Sequence, residues 1–415
     1  MVENTNRKKC IFLPGDLTGS FVVNELQFLK DAFDEVFVLA YIENEGSFDE
    51  ILSRFSFKGE LIKKPNITAF DMLKWNRLEY VSEEKKTAMH LGHPSLITFA
   101  KRWVYLQMYG AYSVASEPII DREIANFEGD VYIYSFWLSR PAFSAAQFKN
   151  RVKKIVSRAH GYDLYEYRNA TEYLPFRKYI QEGLDEIYFI SEDGRNYFEK
   201  LLEKKSVDKN IGANHSISRL GTFKDDGFKS TDIANSKQDK VVIASCSSVV
   251  GLKRLDLIIE TVRKLQEKIG ANCVRWIHLG DGPLIDEIKN LAKERLAEGS
   301  YEFRGNVPND EVIKIYISEG VRFFINLSDY EGVPVSIMEA MSAGLFPIAR
   351  NVGGISEIVD NECGLLLDDV EETNRVTEFI ETHKEDEFAE KAYKKWETTY
   401  NAINNYNKFF EEIVS

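Results

Sequence analysis

The chain has 415 residues, 44% apolar and 29% charged, enough for two domains at roughly 100–200 residues each. Its 53 basic and 66 acidic side chains leave a net charge of −13, which argues against nucleic acid as the main partner, because neutralising phosphates needs surplus Lys and Arg. The excess is uneven: residues 1–240 carry 34 basic and 35 acidic side chains, whereas 241–415 carry 19 and 31.

In chain order, Lys8 and Lys9 precede only a short apolar run, Cys10–Leu13, ended by Pro14. That run reads as a buried strand, not a signal peptide. The loop Pro14–Ser20 follows, and its Gly15 and Gly19 can present backbone N–H groups at the end of that strand. Further strands are expected at Val36–Tyr41, Val131–Phe136, Ile155–Arg158 and Ile187–Ser191. Two basic stretches interrupt this half: Phe99–Tyr105, where Lys101 and Arg102 alternate with aromatics, and Lys149–Lys154. Such stretches are ordinarily solvated faces; the sharper alternative is contact with anionic lipid or a lipid-diphosphate acceptor. The Ser-, Asp- and Lys-rich segment Thr222–Lys240 lacks hydrophobic periodicity and reads as a linker.

Beyond it, strands are expected at Val241–Cys246, Val274–Gly280, Tyr301–Arg304, Arg322–Asn326 and Pro347–Ala349, with helices between them. Each half therefore reads as a doubly wound parallel sheet, with ligands at the carboxyl ends of the strands and a cleft between two facing sheets. From Glu387 to Ser415 an amphipathic pattern extends for about two helices. The four cysteines, at 10, 246, 273 and 363, form no CxxC pair, so neither a zinc site nor a disulfide framework is expected. No run reaches the ~18 apolar residues of a membrane span. A cytoplasmic protein, at most peripheral on the membrane's inner face, is the expectation.

The densest chemical signal is Asp329–Met341. Pro334 predicts the first turn of a helix running to Gly344, whose free N–H groups and dipole suit a diphosphate. Glu331 precedes that helix and Glu339 lies inside it. The segment 332–345 holds a single charge among Ile337, Met338 and Met341, unlike an ordinary solvated helix face. A carboxylate there needs hydrogen-bond donors, and the two vicinal hydroxyls of a ribose would supply them.

The Glu331 and Glu339 spacing, with Gly344, Pro347, Val352-Gly353-Gly354, Glu357-Ile358-Val359, Gly364, Gly280-Asp281-Gly282-Pro283 and Phe303–Val307, resembles the family 4 retaining glycosyltransferases of the GT-B fold, and Tyr134–Trp137 with Ser157–Tyr165 looks like the bacterial capsular and exopolysaccharide enzymes. The resemblance implies an α/β GT-B chain with two Rossmann-like domains facing across a cleft. Residues 1–235 would bind acceptor, 236–390 the nucleotide sugar, and 391–415 would pack back on the N-terminal domain. It further implies that Glu339 binds the nucleotide ribose, Glu331 a hydroxyl of the transferred sugar, and Lys253 the diphosphate. Backbone N–H groups from Gly332 through Val333 and Pro334 to Val335 would border the donor sugar and phosphate, Pro334 itself having no N–H to give. Gly282, Asn306 and Val307 would line the nucleotide, and His160 would contact the donor sugar. Ser248 stands where many members have a second cation. Arg254 and Arg158 are the substitutes to consider.

The reaction so implied is retaining hexosyl transfer from a nucleotide-diphosphate sugar, a UDP-sugar first, to a glycan or lipid-diphosphate-linked glycan in surface polysaccharide synthesis. No metal or other cofactor is implied, since no DxD triplet occurs. Alternatives are a sugar phosphorylase or epimerase on the same fold, and an inactive nucleotide-sugar-binding protein.

Overall fold

The computed structural model describes residues 6–15, 17, 20–41, 46–62, 68–92, 94–224, 240–369, 372–382 and 387–415. They divide into two units, one of residues 1–218 with 406–415 and one of residues 219–405. Most of the expected linker, residues 225–239, lies outside the described residues.

The first unit holds seven parallel strands: β1 (Lys8–Gly15), β2 (Glu35–Ala40), β3 (Lys58–Leu61), β4 (Asp130–Ser135), β5 (Lys154–Ala159), β6 (Glu186–Phe189) and β7 (Asn214–Ile217). Their spatial order is β3-β2-β1-β4-β5-β6-β7. Central strands such as Cys10–Leu13 are buried on both faces, which is why they read as unbroken apolar runs. The second unit holds β8 (Val241–Cys246), β9 (Val274–Leu279), β10 (Tyr301–Phe303), β11 (Phe323–Asn326), β12 (Phe346–Arg350) and β13 (Leu365–Leu367), in the order β10-β9-β8-β11-β12-β13. The strand order reverses between β1 and β4 in one sheet and between β8 and β11 in the other. Such reversals splay the loops at the strands' carboxyl ends and open room for ligand.

Three strands escaped the sequence reading. β3 and β7 are half-exposed edge strands with the polar sequences KGEL and NHSI, and β13 has only three residues. The unit boundary falls at Ser218 instead of 235, and the tail divides differently from the expectation. The helix Glu387–Thr399 stays with the second unit, where Trp396 donates Nε1–H to Thr222 Oγ1 at 2.8 Å and the Tyr400 hydroxyl donates to the Glu357 carbonyl at 2.8 Å. From Tyr406 onward the final helix, Ala402–Val414, belongs to the first unit. There the Phe409 ring lies 5.3 Å from that of Tyr134 and 4.9 Å from that of Tyr188. Among the described residues no helix is long and apolar enough to cross a membrane.

Candidate functional site

In the second unit, the loop after β8 meets the loop after β11 where the strand order reverses. The Asp329 N–H donates to the Leu252 carbonyl at 2.9 Å, and Lys253 donates Nζ–H to Glu331 Oε1 at 2.5 Å. The same carboxylate oxygen accepts from Ser328 Oγ at 2.8 Å and Asn326 Nδ2 at 3.2 Å. Glu331 is therefore held by one charged and two neutral donors, which fix its direction.

Behind this turn lies a pair of glycines. The Gly354 N–H donates to the Gly332 carbonyl at 3.0 Å. Gly353 has φ +54°, and a Cβ there would stand 1.9 Å from the Glu331 carbonyl oxygen. Only glycine permits both that backbone and that approach.

The helix after the turn is Val335–Ser342. Pro334 is its N-cap, one place earlier than its first-turn assignment, because its ψ of 115° is extended. Gly344 at φ +72° closes the other end, with the Leu345 N–H returning to the Ala340 carbonyl at 2.9 Å. The peptide N–H groups at the helix start are free of intrahelical partners, as at any helix N-terminus.

Glu339 lies partly buried on this helix, and among the described residues no side chain hydrogen-bonds its carboxylate. Loss of water alone raises its pKa to about 7. Neighbouring Cys246 is pushed up to about 12, first by burial and then by the charge of Glu339. An under-solvated carboxyl of this kind fits a ligand that brings its own donors.

Arg254 takes a left-handed backbone, φ 49°, that turns it from Lys253. Its guanidinium binds Asp256 at 2.9 Å and Asp329 at 3.0 Å, and Arg350 joins Asp329 at 2.5 Å. Burial works against the Asp329 carboxylate, yet hydrogen bonds from Arg350 and Arg254 hold its pKa below the usual range. Arg254 thus braces the loop that carries Glu331. Asn326, Ser328 and Arg350 were not singled out from sequence, and Asp329 only as the first residue of its motif. The signal available was polar Asn326 ending an apolar strand and lone Arg350 ending another.

The β9 loop packs against the β8 loop at Gly282, where a Cβ would stand 2.5 Å from the Val249 carbonyl oxygen. The Gly280 N–H donates to the Gly305 carbonyl at 2.7 Å. Asn306 and Val307 follow directly, exposed and half-buried.

In the first unit, Gly15 ends β1 at φ +74°, its Cβ position 3.3 Å from Trp137 Cδ1. Gly19 lies outside the described residues. The His160 ring stacks on Phe136 at 4.6 Å and leans on Trp137 at 4.7 Å. Asp163 fixes this loop by accepting from the His160 N–H at 2.8 Å and the Leu138 N–H at 2.6 Å. Among the described residues neither His160 ring nitrogen has a hydrogen-bond partner, and both are buried; Nδ1 lies 3.9 Å from Asp163 Oδ2, so the ring is held mainly by its faces.

Arg158 is not a phosphate ligand. It is fully buried, ion-paired to Glu25, hydrogen-bonded to Ser218 Oγ at 2.9 Å and capped by the Phe409 ring at 3.8 Å. Its position on central β5 points it into the sheet's packed face, where Glu25 already neutralises it.

Comparisons with known proteins bear on the second unit and on the fold. Residues 228–399, most of the second unit, match the family described as "Glycosyl transferases group 1". The amylovoran biosynthesis glycosyltransferase AmsK of Erwinia amylovora is 30% identical over 29% of this chain and 30% of its own length. The putative colanic acid biosynthesis glycosyltransferase WcaL of Escherichia coli is 24% identical over 61% of this chain and 62% of its own. The chain thus spans under two thirds of either curated relative. Over 98% of this chain and 99% of the other, the fold matches Anabaena Alr3699/HepE, solved in complex with UDP, at a TM-score of 0.66 and 13% identity. The architecture is that of the GT-B glycosyltransferases.

Proposed function

We propose that this chain is a metal-independent retaining hexosyltransferase that moves a sugar from a nucleotide-diphosphate donor to a glycan or lipid-linked glycan during polysaccharide synthesis. The observation that carries the reading is the Lys253–Glu331 pair at the strand-order reversal, set before the start of the helix bearing Glu339, whose carboxyl has no side-chain hydrogen bond among the described residues. The donor ribose would bond Glu339. Its diphosphate would take Lys253 and the N–H groups at Val335 and Ser336, leaving Glu331 free to accept from a hydroxyl of the transferred sugar. Front-face transfer then breaks the anomeric carbon–phosphate oxygen bond, forms the bond to the acceptor oxygen, and moves the acceptor proton to a donor phosphate oxygen. Negative charge grows on the leaving group, and Lys253 would stabilise it. His160, whose ring nitrogens have no hydrogen-bond partner among the described residues, would orient the donor sugar.

A UDP-sugar is the first donor to try, since the structural neighbour HepE was solved with UDP and with UDP-glucose. The test is a thermal-shift screen of UDP-, GDP- and ADP-sugars, followed by NMR of the product's anomeric configuration and assays in EDTA. A true donor at a hundred times its Kd stabilises the fold by about 2.7 kcal/mol. Inverted product or full inhibition by EDTA overturns the mechanism. A nucleotide-sugar binder without turnover is the second reading, favoured by Ser248 in place of a second cation. Slow hydrolysis of a bound UDP-sugar separates the two.

A further inference from the structure

In the first unit the helices Glu79–His90 and Leu96–Ala125 form a hairpin, tied where Arg102 donates to the Ala88 and Leu91 carbonyls at 3.0 and 2.8 Å. One side of the long helix is buried through Leu106, Tyr109, Ser113 and Ile120. Its other side presents Ile97, Lys101, Val104 and Met108, spaced four, three and four apart and so on one stripe. Ile97 is 72% exposed and Val104 59%, and Leu96, beside the turn, is 88% exposed. Met89 adds an exposed side chain from the other helix. A water-facing helix stripe is ordinarily polar, and contiguous exposed apolar surface marks a contact.

The charge around the stripe selects the occupant. No Asp or Glu occurs from Lys85 through Ser116, in a chain whose net charge is −13, while Lys86 and Lys101 are exposed there. The other basic cluster is already spent: Lys149 donates to the Glu182 and Leu184 carbonyls, Arg151 pairs with Asp121 at 2.7 Å, and Lys154 lies 3.6 Å from Glu186. The aromatic-basic pattern of Phe99–Tyr105 also works differently from its sequence reading. Arg102 is buried, and Trp103 lies under the Lys85 ammonium at 4.6 Å, so aliphatic side chains carry the exposed surface.

We propose that the turn and outer stripe of this hairpin dock on an anionic lipid bilayer. Leu96, Ile97 and Met89 insert among the acyl chains, Val104 and Met108 lie along the interface, and Lys86 and Lys101 reach the headgroups. This stands apart from the transferase reading. The test is cosedimentation of the full chain with phosphatidylcholine vesicles, with and without phosphatidylglycerol, at low and high salt. Binding is expected to the anionic vesicles at low salt and to fall at high salt. L96D/I97D and K86E/K101E are each expected to lose roughly tenfold or more in vesicle affinity, with circular dichroism checking their fold. If the first variant does not fold, the second and the salt dependence decide. Absence of wild-type binding at low salt, or unchanged binding by folded variants, overturns the proposal. So does a wild-type dimer without vesicle binding that L96D/I97D dissolves, because the stripe would then belong to a second copy.

Discussion

Glu339 carries the most consequential single charge. Its folded pKa of about 7 lies above the value an unfolded chain would give it, so its ionisation penalises the fold. That penalty is absent below the ordinary carboxylate range, grows as pH rises, and is complete above pH ~7. Glu339→Gln should therefore raise the melting temperature of the unliganded protein at pH 8 and leave it unchanged near pH 4, as scanning calorimetry would show. Ribose hydroxyls donating to the carboxylate favour its charged form, so nucleotide binding at pH 7 should release up to about half a proton. Titration calorimetry of UDP in buffers of different ionisation heat measures this, and affinity should rise between pH 6 and 8. The same variant should bind UDP roughly 10–100-fold more weakly, the worth of hydrogen bonds to a charged group. Lys253→Ala differs in kind: on the proposed reading it would leave the nucleoside contacts alone and remove charge from beside the leaving phosphate. Its kcat should fall about 10²–10³-fold with a smaller change in KM, which steady-state kinetics resolves.

At the scale of elements, the site is a meeting of loops after β8, β9, β11 and β12. Their register depends on backbone approaches that leave no space for a Cβ, at Gly282 against Val249 and at Gly353 against Glu331. Gly353→Ala should force the Glu331–Gly332 turn to move and strain a left-handed position, costing about 1–3 kcal/mol of stability. Turnover should fall further than that loss explains, which denaturant unfolding measured alongside kcat/KM would establish. The central strands were legible because burial on both faces demands unbroken apolar runs such as Val241–Ala244. Of the edge strands only β10 was legible; β3, for one, pairs on one side only and tolerates Lys58 and Glu60. The helix bearing Glu339 was legible from Pro334 and Gly344, which act through local dihedrals. The brace of Asp329 between Arg254 and Arg350 was not, because it joins three separated loops.

At the scale of the molecule, the charge step between the two halves of the sequence survives as a difference between their sites. The second unit holds most of the acidic excess, yet its loops gather Lys253, Arg254 and Arg350 on the carboxylates of Glu331 and Asp329. Arg158 illustrates the opposite case, a cation that serves folding. Arg158→Ala would leave Glu25 buried and uncompensated, which typically costs 3–5 kcal/mol. We expect a large fall in the stability of the first unit, measured by chemical denaturation, with no change in UDP affinity. Weaker nucleotide binding by a folded Arg158→Ala would return this arginine to the phosphate site.

Properties carried by neighbours along the chain were determined by the sequence alone. These are the two parallel α/β sheets, the glutamate pair at its spacing, and the turn before a short helix. The tertiary structure decided which charges meet. Lys253 and Glu331 are 78 residues apart, and Arg158 and Glu25 are 133 apart. Ion pairs at such separations follow from strand order and loop packing, so no local pattern announces that one cation faces a site and another is sealed beneath a phenylalanine.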